Sequence, residues 1–342
     1  MKSLKSILIL AAAFSITLFA VEQTNAQDAR NEAIQLYNQA QELAGSGDFT
    51  NSIQLYREAL EISQANDLND ITELIVERIP RVASSRASNA YRGYQSERTV
   101  ESVNNALSAF QEAKDIAEEF GNAEVRQQAE GALPQLYYIR SVLHFRAENY
   151  EDALADLDTA IDMNANYALA YYQKALVTKN QRPSEVDTWL GLYDEAIEVA
   201  RRVNDNRALE NALNSAREEL IFRAVNLAED RQFDRALSLL QRVEQYDPQS
   251  ANAEYRMAEI YNKRGQWNQA MQHATRALEY ESGGVNDKAK IYFELGTAYK
   301  GQGQVDNACD AFENARYGDF TEPANHELQF ELKCEGHTPT GR

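Results

Sequence analysis

The stretch ANAEYRMAEIYNKRGQWNQAMQHATRALEYES, Ala251 to Ser282, decides the fold. Met257, Ala258 and Tyr261 follow one another at helical spacing and define one apolar face of a first helix. Gly265 and Gln266 supply a turn, and Trp267, Ala270, Ala274, Ala277 and Leu278 line one face of a second helix. Small alanines let two such helices approach closely, and the indole of Trp267 fills the wedge left at the turn.

Working outward, the second-helix ladder recurs as Ser52, Tyr56, Ala59; Ala106, Phe110, Ala113; Ala153, Leu157, Ala160; Ala196, Ala200, Val203; Ala236, Leu240, Val243; and Ala308, Phe312, Ala315, which makes seven copies. Turn residues precede several of them at matching offsets: Gly47-Asp48-Phe49, Glu148-Asn149-Tyr150, Arg231-Gln232-Phe233 and Gly303-Gln304-Val305. Repeats of this length predict stacked helix pairs, each burying its stripe against its neighbours.

The segment YFELGTAYKGQGQVDNACDAFENA, Tyr292 to Ala315, with Leu295-Gly296, Tyr299, Ala308, Phe312 and Ala315, resembles the tetratricopeptide repeat. Pro248 supplies the closing proline of that pattern in the preceding copy. The resemblance implies an all-α, right-handed α-solenoid of about seven helix pairs with a C-terminal capping helix. The step from Ala236 to Ala270 is the family's 34 residues, but others run from 38 to 54, so longer helices or connections absorb the surplus. The expected division is a leader over 1–26, divergent helical repeats over 27–133, the regular array over 134–318, and a capping helix and tail over 319–342. Pro80 is expected to kink or break the helical stretch between Leu68 and Gln95. A loop is expected at Asn180 to Ser184, and the closing helix from Glu322 to Cys334.

Composition agrees with this reading. The chain has 44% hydrophobic and 25% charged residues with only six prolines, which suits helices and a sizeable core. Its formal charge is −19, and removing a leader of net +1 leaves −20. Such a balance, with basic residues scattered among more numerous carboxylates, argues against a nucleic-acid partner.

Lys2 and Lys5 precede an apolar run from Ile7 to Val21, and Thr24-Asn25-Ala26 then stands before Gln27. This predicts a bacterial secretory signal peptide cleaved after Ala26, and a periplasmic or secreted mature chain without a transmembrane segment. An uncleaved anchor is the alternative, although the run is shorter than the roughly 20 residues a spanning helix needs. No cysteine precedes Cys309, which excludes a lipid-attachment cysteine at the cleavage site.

Motifs for chemistry are missing. His144, His273, His326 and His337 form no H-E-x-x-H pair, and Gly45-Ser46-Gly47 and Gly301-Gln302-Gly303 follow helices and lead to no Gly-Lys-Ser/Thr. Asp67 to Asp70 lacks the glycine and closing glutamate of a calcium loop. Neither catalysis, a metal nor a cofactor is expected. Cys309 falls on the last second helix and Cys334 at the end of the closing segment, roughly mirrored across a turn near Gly318 to Thr321. A disulfide and a pair of buried thiols are both open, with an oxidising compartment favouring the former.

In the tetratricopeptide family the first helices line a concave groove that receives a peptide or a partner's helix. The resemblance therefore nominates Tyr138, Arg146, Tyr172, Lys179, Asn180, Tyr255, Asn262, Lys263, Phe293 and Lys300, on exposed first-helix faces, for contact with a protein or peptide. The clamp for a carboxylate terminus found in chaperone-binding members is absent, since Tyr138 and Val142 stand at its places. An interaction scaffold of the cell envelope is the expectation, and a ligand-binding component on the same fold is the alternative.

Overall fold

A computed structural model describes residues 26–334. The leader, except for Ala26, and the extreme C-terminus lie outside the described residues. Fifteen α-helices follow one another in the described chain, with no strand among those residues. The first covers 26–46 (α1). After it come α2 (Phe49–Ala65), α3 (Asn69–Glu97), α4 (Val100–Glu119), α5 (Ala123–Arg146), α6 (Tyr150–Met163), α7 (Ala168–Gln181) and α8 (Val186–Val203). The series continues with α9 (Asn206–Glu229), α10 (Phe233–Arg242), α11 (Ala251–Lys263), α12 (Trp267–Tyr280), α13 (Val285–Gly301), α14 (Val305–Asn314) and α15 (Thr321–His326). In chain order these are seven pairs and a short closing helix.

The chain divides into two compact units, one up to Leu192 and one from Tyr193, with α8 spanning the division. In the first unit α3 meets both α2 and α4, and α5 meets both α4 and α6; in the second, α11 touches α9, α10, α12 and α13.

One turn chemistry is reused throughout. At Gly47, Glu148, Arg231, Gly265 and Gly303 the backbone takes a positive φ. The following N–H then donates to a carbonyl five residues earlier: Asp48 to Leu43 (2.9 Å), Asn149 to His144 (2.9 Å), Gln232 to Leu227 (2.8 Å), Gln266 to Tyr261 (2.9 Å) and Gln304 to Tyr299 (2.9 Å). This left-handed closure satisfies carbonyls that a helix end would otherwise orphan, and it reverses the chain within two residues. Side chains start several helices: the Asn122 amide oxygen accepts from Val125 N–H (3.0 Å), and the Asp205 carboxylate from Ala208 N–H (3.0 Å).

The second-helix ladder is the core of each pair. Ala59, Ala106, Ala153, Ala160, Ala196, Ala236, Ala270, Ala274, Ala277 and Ala308 are fully buried, as are Tyr56, Leu157 and Phe312. Phe110 is only partly buried. Gly296 shows why small residues stand where helices cross, because a Cβ there would lie 2.9 Å from the Phe312 ring.

Two local expectations are corrected. Helix α3 runs unbroken through Pro80 over 29 residues. The proline removes one backbone hydrogen bond, but Ile75, Ile79, Val82 and Ala83 around it are buried, and that packing outweighs the local penalty. Pro134, where the regular array was expected to begin, is likewise inside α5. The closing segment is not one helix to Cys334: α15 ends at His326, and a π-type turn covers Glu327–Glu331. Lys333 then adopts a left-handed φ of 55°, and Cys334 N–H donates to Leu328 O (2.9 Å), which stops the helix. The expected loop after α7 is present, between Gln181 and Val186.

The disulfide is present as well. Cys309 on α14 is bonded to Cys334, with Cα atoms 6.0 Å apart and a sequence separation of 25. It ties the closing segment to the last pair, where Leu328 and Ala324 are buried against Phe312 and Ala315. In the chain-entropy account, closing a loop of this length stabilises by about 3 kcal/mol.

Candidate functional site

The ten nominated first-helix residues separate by unit. In the first unit, Tyr138 is half-buried with its ring 5.3 Å from that of Tyr167, and Tyr172 and Lys179 are also half-buried. Arg146 is exposed at the end of α5, and exposed Asn180 spends its amide on Leu176 O (2.8 Å). No cavity among those described for this unit gathers these five.

In the second unit α11 brings Tyr255, Asn262 and Lys263 together, but two of them are not on an exposed face. Tyr255 and Asn262 are each only 7% exposed. The reason is the neighbouring first helix α13: Asn262 Nδ2 reaches Glu294, donating to its backbone oxygen and to Oε2, both at 2.8 Å. Tyr255 lies beneath Arg256 and Lys290, 4.9 and 5.3 Å from its ring centre. Burial pushes its hydroxyl up to about 12. Phe293 and Lys300 are covered by the closing segment instead of facing a groove. The Phe293 ring packs on Phe312 and Phe320 at 5.3 and 5.4 Å, and Lys300 Nζ donates to Glu327 (2.6 Å) and Glu331 (3.3 Å).

What remains open is a furrow between α9 and α11. A cavity of about 690 Å³ is lined by Arg217, Ile221, Phe222, Val225 and Arg256, among others. A smaller recess sharing Val225 and Arg256 continues it past Ala228, Glu259 and Ile260 to Lys263. Phe222 is 61% exposed. Its helix presents Ala212, Ala216, Leu220, Ala224 and Ala228 to the core, so Phe222 stands off that stripe. An aromatic side chain away from the buried face was the signal available in the sequence, and it was missed there.

The charged wall of the furrow comes from α11. Glu259 accepts from Lys263 Nζ (2.7 Å) and Arg256 Nη1 (2.8 Å). Burial pushes the Glu259 carboxyl up, but these two cations outweigh it and hold the group below the usual glutamate range. Glu294 has no such partner. Burial drives it up to about 7, the hydrogen bond from Asn262 opposes the shift, and the charge on Glu259 adds to it. Among the described residues Arg256 Nε and Asn262 Oδ1 are buried without a hydrogen-bond partner. Orphaned polar atoms of this kind cost stability.

A second cavity, of about 290 Å³, lies on the other side of α11 against α10 and α12. Glu254 accepts from Arg276 Nε (3.0 Å) and lies 2.7 Å from His273 Nδ1, whose ring stacks on Tyr261 at 5.1 Å. Among the described residues no group of three or more His, Cys, Asp or Glu could hold a metal ion, and no helix is long and apolar enough to cross a membrane.

Family comparison matches tetratricopeptide-repeat profiles to residues 36–66, 227–283 and 289–315. Over these three segments the chain is similar to the tetratricopeptide repeat. The profile over 227–283 spans α10, α11 and α12, which line the second cavity, and α11 is also one wall of the furrow. A search of curated proteins gave no match. Among solved structures, YrrB, described as a TPR protein with an unusual peptide-binding site, is 19% identical over 55% of this chain and 86% of its own, with a TM-score of 0.30. A tetratricopeptide repeat protein of Parabacteroides merdae is 14% identical over 87% of this chain and 100% of its own (TM-score 0.28). The TPR domain of P58(IPK) is 12% identical over 87% and 98% (TM-score 0.30). Tetratricopeptide repeats form an all-helical fold suited to holding proteins or peptides rather than to catalysis.

Proposed function

We propose that this protein is an interaction scaffold that holds a segment of a partner protein in the furrow between α9 and α11. The observation that carries this reading is exposed Phe222, beside Ile221 and Val225, in a continuous recess between two first helices. Aromatic anchors of this kind supply much of the energy of protein interfaces. A photo-cross-linking amino acid at position 222 should give one dominant protein adduct in the host cell, while the same group at Leu74, 55% exposed in the first unit, should give none. Equal labelling at both positions contradicts the proposal.

We propose further that the scaffold works outside the cytoplasm of a bacterium, in the periplasm or beyond. Support comes from the leader pattern of Lys2, Lys5 and Ile7 to Val21, and from the Cys309–Cys334 bond, since disulfides persist in oxidising compartments. Mass spectrometry of protein taken from its host should find Gln27 at the N-terminus; an intact Met1 in membrane pellets contradicts export with cleavage. A second reading, binding of a small polar ligand, is favoured by the cavity holding Glu254, His273 and Arg276. Replacement of His273 should leave furrow binding intact and abolish uptake of such a ligand.

A further inference from the structure

The furrow and the second cavity meet. Asp247, Ser250 and Tyr280 line both of them, which places the junction at the start of α11. Ser250 is only 7% exposed there, and although it stands at the N-cap position its hydroxyl does not cap the helix. Among the described residues that hydroxyl has no hydrogen-bond partner, and it is not one of the enclosed orphaned atoms, so it opens into the space that Ser250 lines. A hydroxyl so placed is a ready acceptor for an incoming donor. We propose that the segment held in the furrow carries a lysine next to an apolar side chain, the apolar group resting on Phe222 and the ammonium passing Ser250 into the second cavity. This inference rests on the furrow being a partner site.

Charge selects the cation. In the second cavity Glu244, Asp247 and Glu254 face Arg276 and His273, so the wall nets two negative charges with His273 neutral and one with it protonated. The arginines at the junction do not reverse that balance. Arg276 is held by Glu254 at 3.0 Å, and Arg217, which reaches Asp247 from the furrow side at 3.3 Å, is shared with Glu218 at 3.2 Å. Helix ends add to the effect. The last turn of α10 continues as a 3-10 turn over Val243–Gln245 beside this wall, and the negative end of a helix favours a cation. The positive start of α11 is answered by Glu254 in its own first turn.

The shape of a lysine suits the rest of the lining. Leu240, Met257 and Tyr280 border the second cavity and can cover the methylene stem, as apolar surface does for long cationic side chains. The ammonium carries three donors, and Ser250, Asp247 and Glu254 offer it a hydroxyl and two carboxylates. An apolar neighbour on the same segment then meets Phe222, which is 61% exposed in the adjoining furrow. At a formal −19, the chain as a whole also draws a cationic segment toward it.

The test is selection of random twelve-residue peptides, displayed on phage, against the full chain at low salt, where such attraction is least screened. Selected pools should be rich in lysine beside aromatic or aliphatic residues. Replacing that lysine by methionine in a selected peptide should weaken binding about tenfold. Ser250→Ala and Asp247→Asn should each reduce that preference, and together they should bring it to about twofold. The ratio of the two affinities is read within each chain, so any general loss of stability cancels. Because the Ser250 hydroxyl caps nothing, its removal should also leave α11 in place. Pools without lysine, or a tenfold preference that survives both substitutions, overturn the assignment. In either case Phe222→Ser still abolishes binding if the furrow is the partner site, whereas peptides that bind Phe222→Ser unchanged remove the furrow and this inference together.

Discussion

Both compact units use arginine to tie helices together, but the second also turns one arginine toward a furrow. In the first, arginines pair with carboxylates across helices: Arg30 with Asp70 at 2.5 Å, Arg57 with Glu119 at 2.5 Å, Arg140 with Asp156 at 2.5 Å, and Arg86 with Glu112. Each of these pairs helps to fix how neighbouring helices meet. In the second, Arg264 with Asp234 at 2.7 Å and Arg276 with Glu254 at 3.0 Å do the same, whereas Arg256 turns to Glu259 on its own helix and lines the furrow with exposed Phe222. The same side chain fastens helices in one place and lines a furrow in another. Stability and recognition are thus separable on this scaffold, and substitutions in the two units should show it.

The largest effect should come from Arg140→Met. Asp156 is only 6% exposed in its side chain, and Arg140 donates to both its oxygens, at 2.9 and 2.5 Å. Removing the cation leaves a buried carboxylate uncompensated, which costs about 3 kcal/mol. Urea denaturation should show the loss, with furrow binding unchanged below the transition. Ala274→Leu adds bulk at a fully buried crossing of α11 and α12 and should cost about 1 to 3 kcal/mol in the same assay.

A smaller, pH-dependent effect belongs to Glu294. Because its folded-state value of about 7 lies above that of an unfolded glutamate, the folded chain holds a proton that the unfolded chain releases. Its contribution is complete below the unfolded value and is lost as pH rises through 7. Between pH 5 and pH 8 the unmodified chain should therefore lose on the order of 2 to 3 kcal/mol relative to Glu294→Gln. Parallel stability curves for the two proteins would remove Glu294 from the account. The smallest effect should be that of Lys263→Glu, whose exposed side chain makes only an ion pair one turn back, and it should stay within about 0.5 kcal/mol.

Much of the fold was legible because it is written at short range. Small and apolar residues three and four apart, such as Ser52, Tyr56 and Ala59 or Ala236, Leu240 and Val243, marked every second helix, and Leu295-Gly296 marked the place where Phe312 needs room. Turn residues at Gly47, Glu148, Arg231 and Gly303 marked the reversals. Pro80 does not break α3 because its penalty is local while the packing that opposes it comes from other helices. The site was less legible for a related reason. Asn262 looked like a groove residue on its own helix, but its partner Glu294 is 32 residues away on the next first helix. Lys300 looked available, yet the closing segment returns Glu327 and Glu331 to it. Helical periodicity shows which face a residue takes, not which neighbour covers that face.

The central claim, that the second unit recognises and the first unit supports, is tested most directly by amide hydrogen exchange with and without a peptide selected against the full chain. The account predicts slowed exchange in α9 and α11, centred on Phe222 and Arg256, with α3 to α5 unchanged. Protection centred on α3 to α5, or none in α9 and α11 at saturating peptide, would contradict it.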